Sequence, residues 1–324
     1  MAHNLYRNNM IWYGQRPWHG LGTELKNPAT AAEAIAAAGM NFKVAYQQLY
    51  RKLRNGTYAP LPSNGETVNV NDDMHLGIVG DGYQIIQNTD AFDFFDAVVG
   101  QGIARYCTAG ALGKGERIWI LAQLPQDIMI KGVDVVEKFM LLMNSHDGSS
   151  ALRMFLTPVR VVCQNTLNQA LARGKGEGIA IRHSGDIDHK VTEAQRVLGI
   201  AIATYNRFEA EANAMASIDM TIKDVESYFD SICFKTEKDK ESSTRQNKKE
   251  DLRVLFENGA GNNIKSIKHT LWAAYNAVTD FNCHRTIRNE EDDPTARLRS
   301  IWYGASANMN IEAYAKAMEV VATH

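Results

Sequence analysis

His146 and Asp147 stand side by side in NSHDGSS, and RHSGDIDH follows with His183, Asp186, Asp188 and His189. Neutral imidazoles and carboxylates gathered in this way suit a divalent cation whose bound water becomes a nucleophile. The candidate ligands of such a hydrolytic centre are His146, Asp147 and His183. The same residues also read as polar turns, because Asp147-Gly148 is a turn signal and RHSGDIDH precedes a helix. The four cysteines, Cys107, Cys163, Cys233 and Cys283, form no CxxC pair. That spacing argues against structural zinc and reads as reduced thiols buried as small hydrophobes. Cys163 lies in the apolar run VRVVCQNTL, where a thiol is inert rather than nucleophilic. AGALGKGER has glycines and a lysine but lacks the GxxxxGK[ST] spacing of a phosphate loop, and suits a hairpin turn. No catalytic residue is assigned and no cofactor is expected.

A second kind of chemistry is suggested by cations. Lys114, Arg117, Arg153, Arg160, Lys175 and Arg182 follow one another with few carboxylates between them. Guanidinium and ammonium groups bind phosphate backbones, and aromatic rings stack on unpaired bases. Tyr106 and Trp119 are the nearby rings. Arg153 and Arg160 are seven apart, which puts them on one side if the segment is helical. The alternative is a solvated basic face or internal ion pairs. Lys plus Arg number 35 against 37 Asp plus Glu, a net charge of −2, so a nucleic-acid site has to be a local patch.

The elements that position these residues follow from pattern. Asn27-Pro28 opens an Ala-rich helix stopped by Gly39. Phe42, Val44 and Tyr46 alternate as a strand, and Asn55-Gly56 turns it into a hairpin. Residues 60–73 read as a loop, 75–86 as strand, turn and strand, and 90–99 as a helix capped by Asn88 or Thr89. A hairpin over 103–124 turns at Gly113-Lys114-Gly115, and 135–143 is a buried strand. Thr157-Pro158 opens a helix to about Arg173, and 176–182 returns to a strand. Beyond this the pattern is helical: 190–216, 218–229 with Thr221 as cap, 252 onward through Trp272, 295–302 and 310–321. Residues 235–249 read as a charged, solvated loop, and 289–294 as an acidic one. The fold class is therefore α+β, with an antiparallel sheet and helices in a core over 1–185 and a mostly helical region over 186–324. No apolar run approaches the ~18–20 residues of a membrane span. The start lacks the apolar stretch of a secretion signal, so a cytoplasmic protein is expected.

Several stretches resemble a known family: PWHGLGTEL, GDGYQIIQNTDAFDFFDAV, GERIWILAQLP, LLMNSHDGSSALRMFLTPVRVVCQNTL, IRHSG, LWAAYNAVTDF and SIWYGASA. In wording and order they are similar to the phage/plasmid-like protein family, a domain of unknown function, from about Trp18 to the C-terminus. The resemblance implies a mobile-element protein with a role in DNA replication, recombination or defence. The order of elements over 75–124 also resembles, at the level of fold, single-strand annealing recombinases, which form rings on single-stranded DNA. The expectation is a non-catalytic DNA-binding accessory protein, a homo-oligomer that anneals single-stranded DNA. Two alternatives stand beside it: a metal-dependent hydrolase acting on nucleic acid or nucleotide, and a module that binds a host protein to inhibit a defence system.

Overall fold

The computed structural model describes residues 5–14, 21–99, 105–160, 163–164, 179–180, 187–284, 300 and 304–324. The fold is α+β. In chain order its elements are β1 (Leu5–Trp12), β2 (Thr23–Glu24), α1 (Ala31–Ala37), β3 (Val44–Lys52), β4 (Tyr58–Asn69), β5 (Met74–Gly80), α2 (Asn88–Val99), β6 (Arg105–Leu112) and β7 (Arg117–Gln123). They continue as β8 (Ile128–Ile130), β9 (Asp134–Ser145), β10 (Arg153–Arg160), β11 (Cys163–Gln164), β12 (Ile179–Ala180) and α3 (Ile187–Met215). Helices α4 (Ile222–Cys233), α5 (Ser243–Asn258), α6 (Leu271–His284) and α7 (Ala305–Thr323) complete the chain. Two compact units share these elements. One comprises Met1–Leu124, Met140–Phe155 and Ile179–Gly199, the other Pro125–Phe139, Leu156–Gly178 and Ile200–His324.

In the first unit, β10, β9, β7, β6, β1 and β2 lie side by side in that order, with β12 against β10. Strand β1 is antiparallel to β6 and parallel to β2. Helix α2 supplies the apolar cover. Phe92 and Phe95 are fully buried, and their rings sit 5.5 and 5.9 Å from the ring of Tyr106. Helix α1 starts one turn later than Asn27-Pro28 predicts. Thr30 is its cap, in a reciprocal box in which Glu33 N–H donates to Thr30 Oγ1 and Thr30 N–H to Glu33 Oε2. Gly39, at φ +64°, makes the left-handed exit as read from sequence.

Strands β3, β4 and β5 form a separate antiparallel sheet. Residues 60–73, expected as a loop, instead supply most of its central strand. Thr67, Val68 and Asn69 are buried, and both neighbouring strands satisfy the β4 backbone. Residues 83–86, expected as a strand, run irregularly into α2. The β3–β4 ladder is broken once, where Gln48↔Gly65 gives way to Tyr50↔Pro60. Gln48 spans this break. Its Nε2 donates to Leu61 O at 2.8 Å, Leu49 O at 3.0 Å and Asn64 O at 3.2 Å. Beyond it the hairpin continues to a turn at 53–57, where Thr57 N–H donates to Asn55 Oδ1 and Gly56 has φ +85°. The Asn55-Gly56 signal thus places the turn correctly. We expect Gln48→Ala to speed amide exchange across 49–61 several-fold while global stability shifts by only ~1 kcal/mol. Unchanged exchange rates would show that the break is held by the backbone alone.

Strand β10 replaces the predicted start of a helix at Thr157-Pro158. Met154, Phe155 and Leu156 are successive and all buried, a pattern that a two-sided sheet interior accepts. The remainder of that predicted helix, 165–173, lies outside the described residues.

In the second unit β8 pairs with the start of β9, and β11 with the end of β10. Helices from α3 onward enclose Phe208, Phe229 and Trp272, all fully buried. Thr221 caps α4 in a box with Asp224, as its sequence suggests. Residues 235–249, expected as a solvated loop, form a 3₁₀ turn at Glu237–Glu241 and then enter α5. Charge rather than apolar periodicity holds this segment. Lys249 Nζ lies 2.5 Å from both Glu226 and Asp230, and Arg245 donates to Cys233 O at 2.8 Å.

Candidate nucleic-acid interface

The expected basic run does not assemble as a helical face. Lys114 is exposed in the β6–β7 turn, where its N–H donates to Glu116 Oε2 at 2.6 Å. Arg117 opens β7, with Nη2 3.5 Å from Asp147 Oδ2. Arg153 and Arg160 are the two ends of β10, a strand, so the helical spacing that would pair them does not apply. Arg153 is partly buried. Lys175, Arg182 and His183 lie outside the described residues.

The two rings chosen for stacking are core residues. Tyr106 is 3% exposed and its hydroxyl donates to Asp96. Burial and that carboxylate raise its pKa well beyond the usual tyrosine value. Trp119 is 9% exposed, donates from Nε1 to Thr108 Oγ1 at 3.2 Å, and lays its ring over Gly110. Neither presents a face to a base.

His146 and Asp147 form the turn after β9. His146 is fully buried, with its ring edge-on to Phe42 at 6.3 Å. Asn88 Nδ2 donates to Met40 O, so Asn88 Oδ1 is the acceptor and His146 Nε2, 2.9 Å away, carries the proton. Nδ1 has no partner. Burial lowers the imidazole pKa to about 4, against the opposing pull of Asp147. The main chain is equally committed: His146 N–H donates to Glu116 O at 2.7 Å, and Thr67 Oγ1 donates to His146 O at 2.6 Å. Burial works against the charge of Asp147, yet Ser149 and the Arg117 guanidinium hold its carboxyl below the usual range. Asp147 is thus committed to the turn and to Arg117, and His146 is anchored on Asn88 through Nε2. Among the described residues no three His, Cys, Asp or Glu side chains gather as a metal-binding group. No described helix is long and apolar enough to cross a membrane.

The structure brings together a different set. From Ala34 to Gly65 there is no carboxylate, but there are four cations, Lys43, Arg51, Lys52 and Arg54, and three tyrosines, Tyr46, Tyr50 and Tyr58. All but Lys43 lie on the β3–β4 hairpin. Beyond the Gln48 bridge, none of residues 49–64 is buried. Tyr50 and Tyr58 are 61% and 67% exposed. A two-stranded hairpin is marginal in water without a packed face, so this arm exposes aromatic area that contributes nothing to a core. Register sets its faces. Lys52 is directly opposite Tyr58 and Tyr50 directly opposite Pro60, which places these four on one side, with Arg51 on the other. The sequence signal was available in YRKLRNGTY, where basic and aromatic residues interleave around a turn.

The sequence matches the family described as "Domain of unknown function (DUF932)" over residues 75–302, well over half of the chain. Among curated proteins it is similar to the UPF0380 protein YafZ of Escherichia coli (strain K12), 36% identical over 107 residues, covering 33% of this chain and 36% of that protein. It is similar also to the UPF0380 protein YfjQ of the same organism, 36% identical over 99 residues, covering 30% of this chain and 33% of that protein. The chain thus spans about a third of the length of the curated relatives it matches. No solved structure matches it. On the extent of the family match, the chain belongs to the DUF932 family.

Proposed function

We propose that this chain is a non-catalytic nucleic-acid-binding accessory protein of a mobile element, and that the β3–β4 arm is its principal contact. The observation that carries the reading is the distal arm, residues 49–64: exposed cations and tyrosines on a stretch of hairpin that has no carboxylate and no buried residue. Arg51, Lys52 and Arg54 make no ion pair among the described residues, so their charge is available to phosphate. Self-assembly and strand annealing are the finer form of the same proposal.

Fluorescence anisotropy with labelled oligonucleotides over a range of salt tests it. The expected result is affinity that falls linearly on a log–log plot as salt rises, because phosphate contacts release counterions. Replacing Arg51, Lys52 and Arg54 together by alanine is expected to reduce that slope by roughly 2–3 and to weaken binding at least ~10-fold at low salt. Absence of binding at low salt, or a triple variant that binds like the parent, would overturn the reading.

A further inference from the structure

Resting on the reading of the arm as a nucleic-acid contact, we infer that its Tyr50–Tyr58 face takes one unpaired base between the two rings, which makes single-stranded nucleic acid the ligand class. Tyr50 and Tyr58 are diagonal neighbours on one face, because Tyr50 pairs with Pro60 and Lys52 with Tyr58. Diagonal positions on antiparallel strands are about 7–8 Å apart. Two stacking intervals of about 3.4 Å fill that gap, so a planar base fits with a ring on either side. Lys52 shares the face and lies next to both rings, where the phosphate of a stacked nucleotide would run.

Ligand choice follows from what each partner can offer. A duplex keeps the faces of its bases inside its own stack and presents only phosphate to the arm. A single strand presents both phosphate and base faces, and each stacked base adds its own contribution. A protein surface of apolar character fits poorly, because Lys52 shares the face of the rings, Arg51 lies on the opposite face and Arg54 in the adjoining turn, and residues 34–65 contain no carboxylate. The charge complement of that surround is a polyanion.

The test uses the full chain, a single-stranded oligonucleotide carrying 2-aminopurine, and a duplex of the same sequence. The parent protein should quench the 2-aminopurine on the single strand. Tyr50→Ala and Tyr58→Ala should each remove most of the quenching and weaken single-strand affinity roughly 5- to 100-fold, while duplex affinity and the salt slope stay unchanged. Tyr50→Phe and Tyr58→Phe should restore the single-strand behaviour, because stacking needs the ring and not the hydroxyl. Both tyrosines are exposed, so far-UV circular dichroism should be the same for every variant. Alanine variants that bind the single strand as the parent does, or that lose both ligands equally, overturn this inference while leaving the arm a nucleic-acid contact. A parent that binds neither ligand overturns both.

Discussion

Trp272→Ala is expected to lower the stability of the second unit by about 3–5 kcal/mol, the range for removing a buried indole that neighbours cannot fill. The ring is fully buried on α6, edge-on to Phe208 at 5.9 Å and tilted against Tyr275 at 5.8 Å. It also has a polar task. Its Nε1 donates at 2.8 Å to Oδ2 of Asp134, a carboxylate only 1% exposed where β9 begins. Trp272→Phe separates the two contributions, because it keeps much of the packing and removes the donor. That variant should cost about 1–3 kcal/mol through the carboxylate left short of a hydrogen bond. Urea unfolding followed by circular dichroism reads both. If the alanine variant stays within ~1 kcal/mol of the parent, the indole is not a core element.

The second large effect depends on pH. The His146 imidazole folds neutral with a pKa of about 4, while the unfolded chain takes up its proton near the ordinary value of 6.5. Above pH 6.5 both states are neutral and the group favours neither. Between pH 6.5 and 4 the unfolded state binds more protons, so stability falls as acid is added. Below pH 4 the loss levels off at roughly 3 kcal/mol. The charges facing the site are Asp147, which favours the proton, and Arg117, which is paired with Asp147. A proton added at the unpartnered Nδ1 would meet no acceptor, so geometry and burial agree in sign. The check compares urea midpoints of the parent and His146→Gln at pH 7.5 and 4.5. Glutamine keeps a donor for Asn88 but does not titrate, and should abolish about 2–3 kcal/mol of the acid sensitivity. Equal acid sensitivity in both proteins would mean that another group is responsible.

The turns were legible in the sequence because turn chemistry is local. Asn55-Gly56, Gly39 and the Thr221 cap each act within a few residues, and each stands where its chemistry put it. Strand β4 was not legible. Its polar residues suggested a loop, and what makes it a strand is backbone pairing with β3 on one side and β5 on the other, which side-chain polarity does not report. The end of helix α5, from Leu252, was read as helix, but its start over 243–249 escaped, because there Lys249 bridging Glu226 and Asp230 holds the segment instead of apolar side chains, and that bridge exists only once α4 lies alongside. For the basic run over 114–182 the face was argued with a helical period, whereas Arg153 and Arg160 lie on strand β10, and Lys175 and Arg182 lie outside the described residues. Burial takes Tyr106 and Trp119 out of contention for stacking. The arm was visible in composition, but its emptiness of core contacts was not.

The way the two units share the chain has a consequence for how the protein is made. On the ribosome, the first unit is incomplete until Gly199 has emerged, because it still needs Met140–Phe155 and Ile179–Gly199. By then Pro125–Phe139 and Leu156–Gly178 have also emerged, yet they belong to a unit whose remaining residues, Ile200–His324, are still to be translated. Strands β9 and β10 each begin in one unit and end in the other, so neither unit can close as a finished bead before the other starts. The nascent chain therefore carries unpaired strand edges for much of its synthesis, which is the condition under which polypeptides depend most on chaperones. A ribosome that stalls anywhere between residues 124 and 199 releases a product with two unfinished units rather than one complete one.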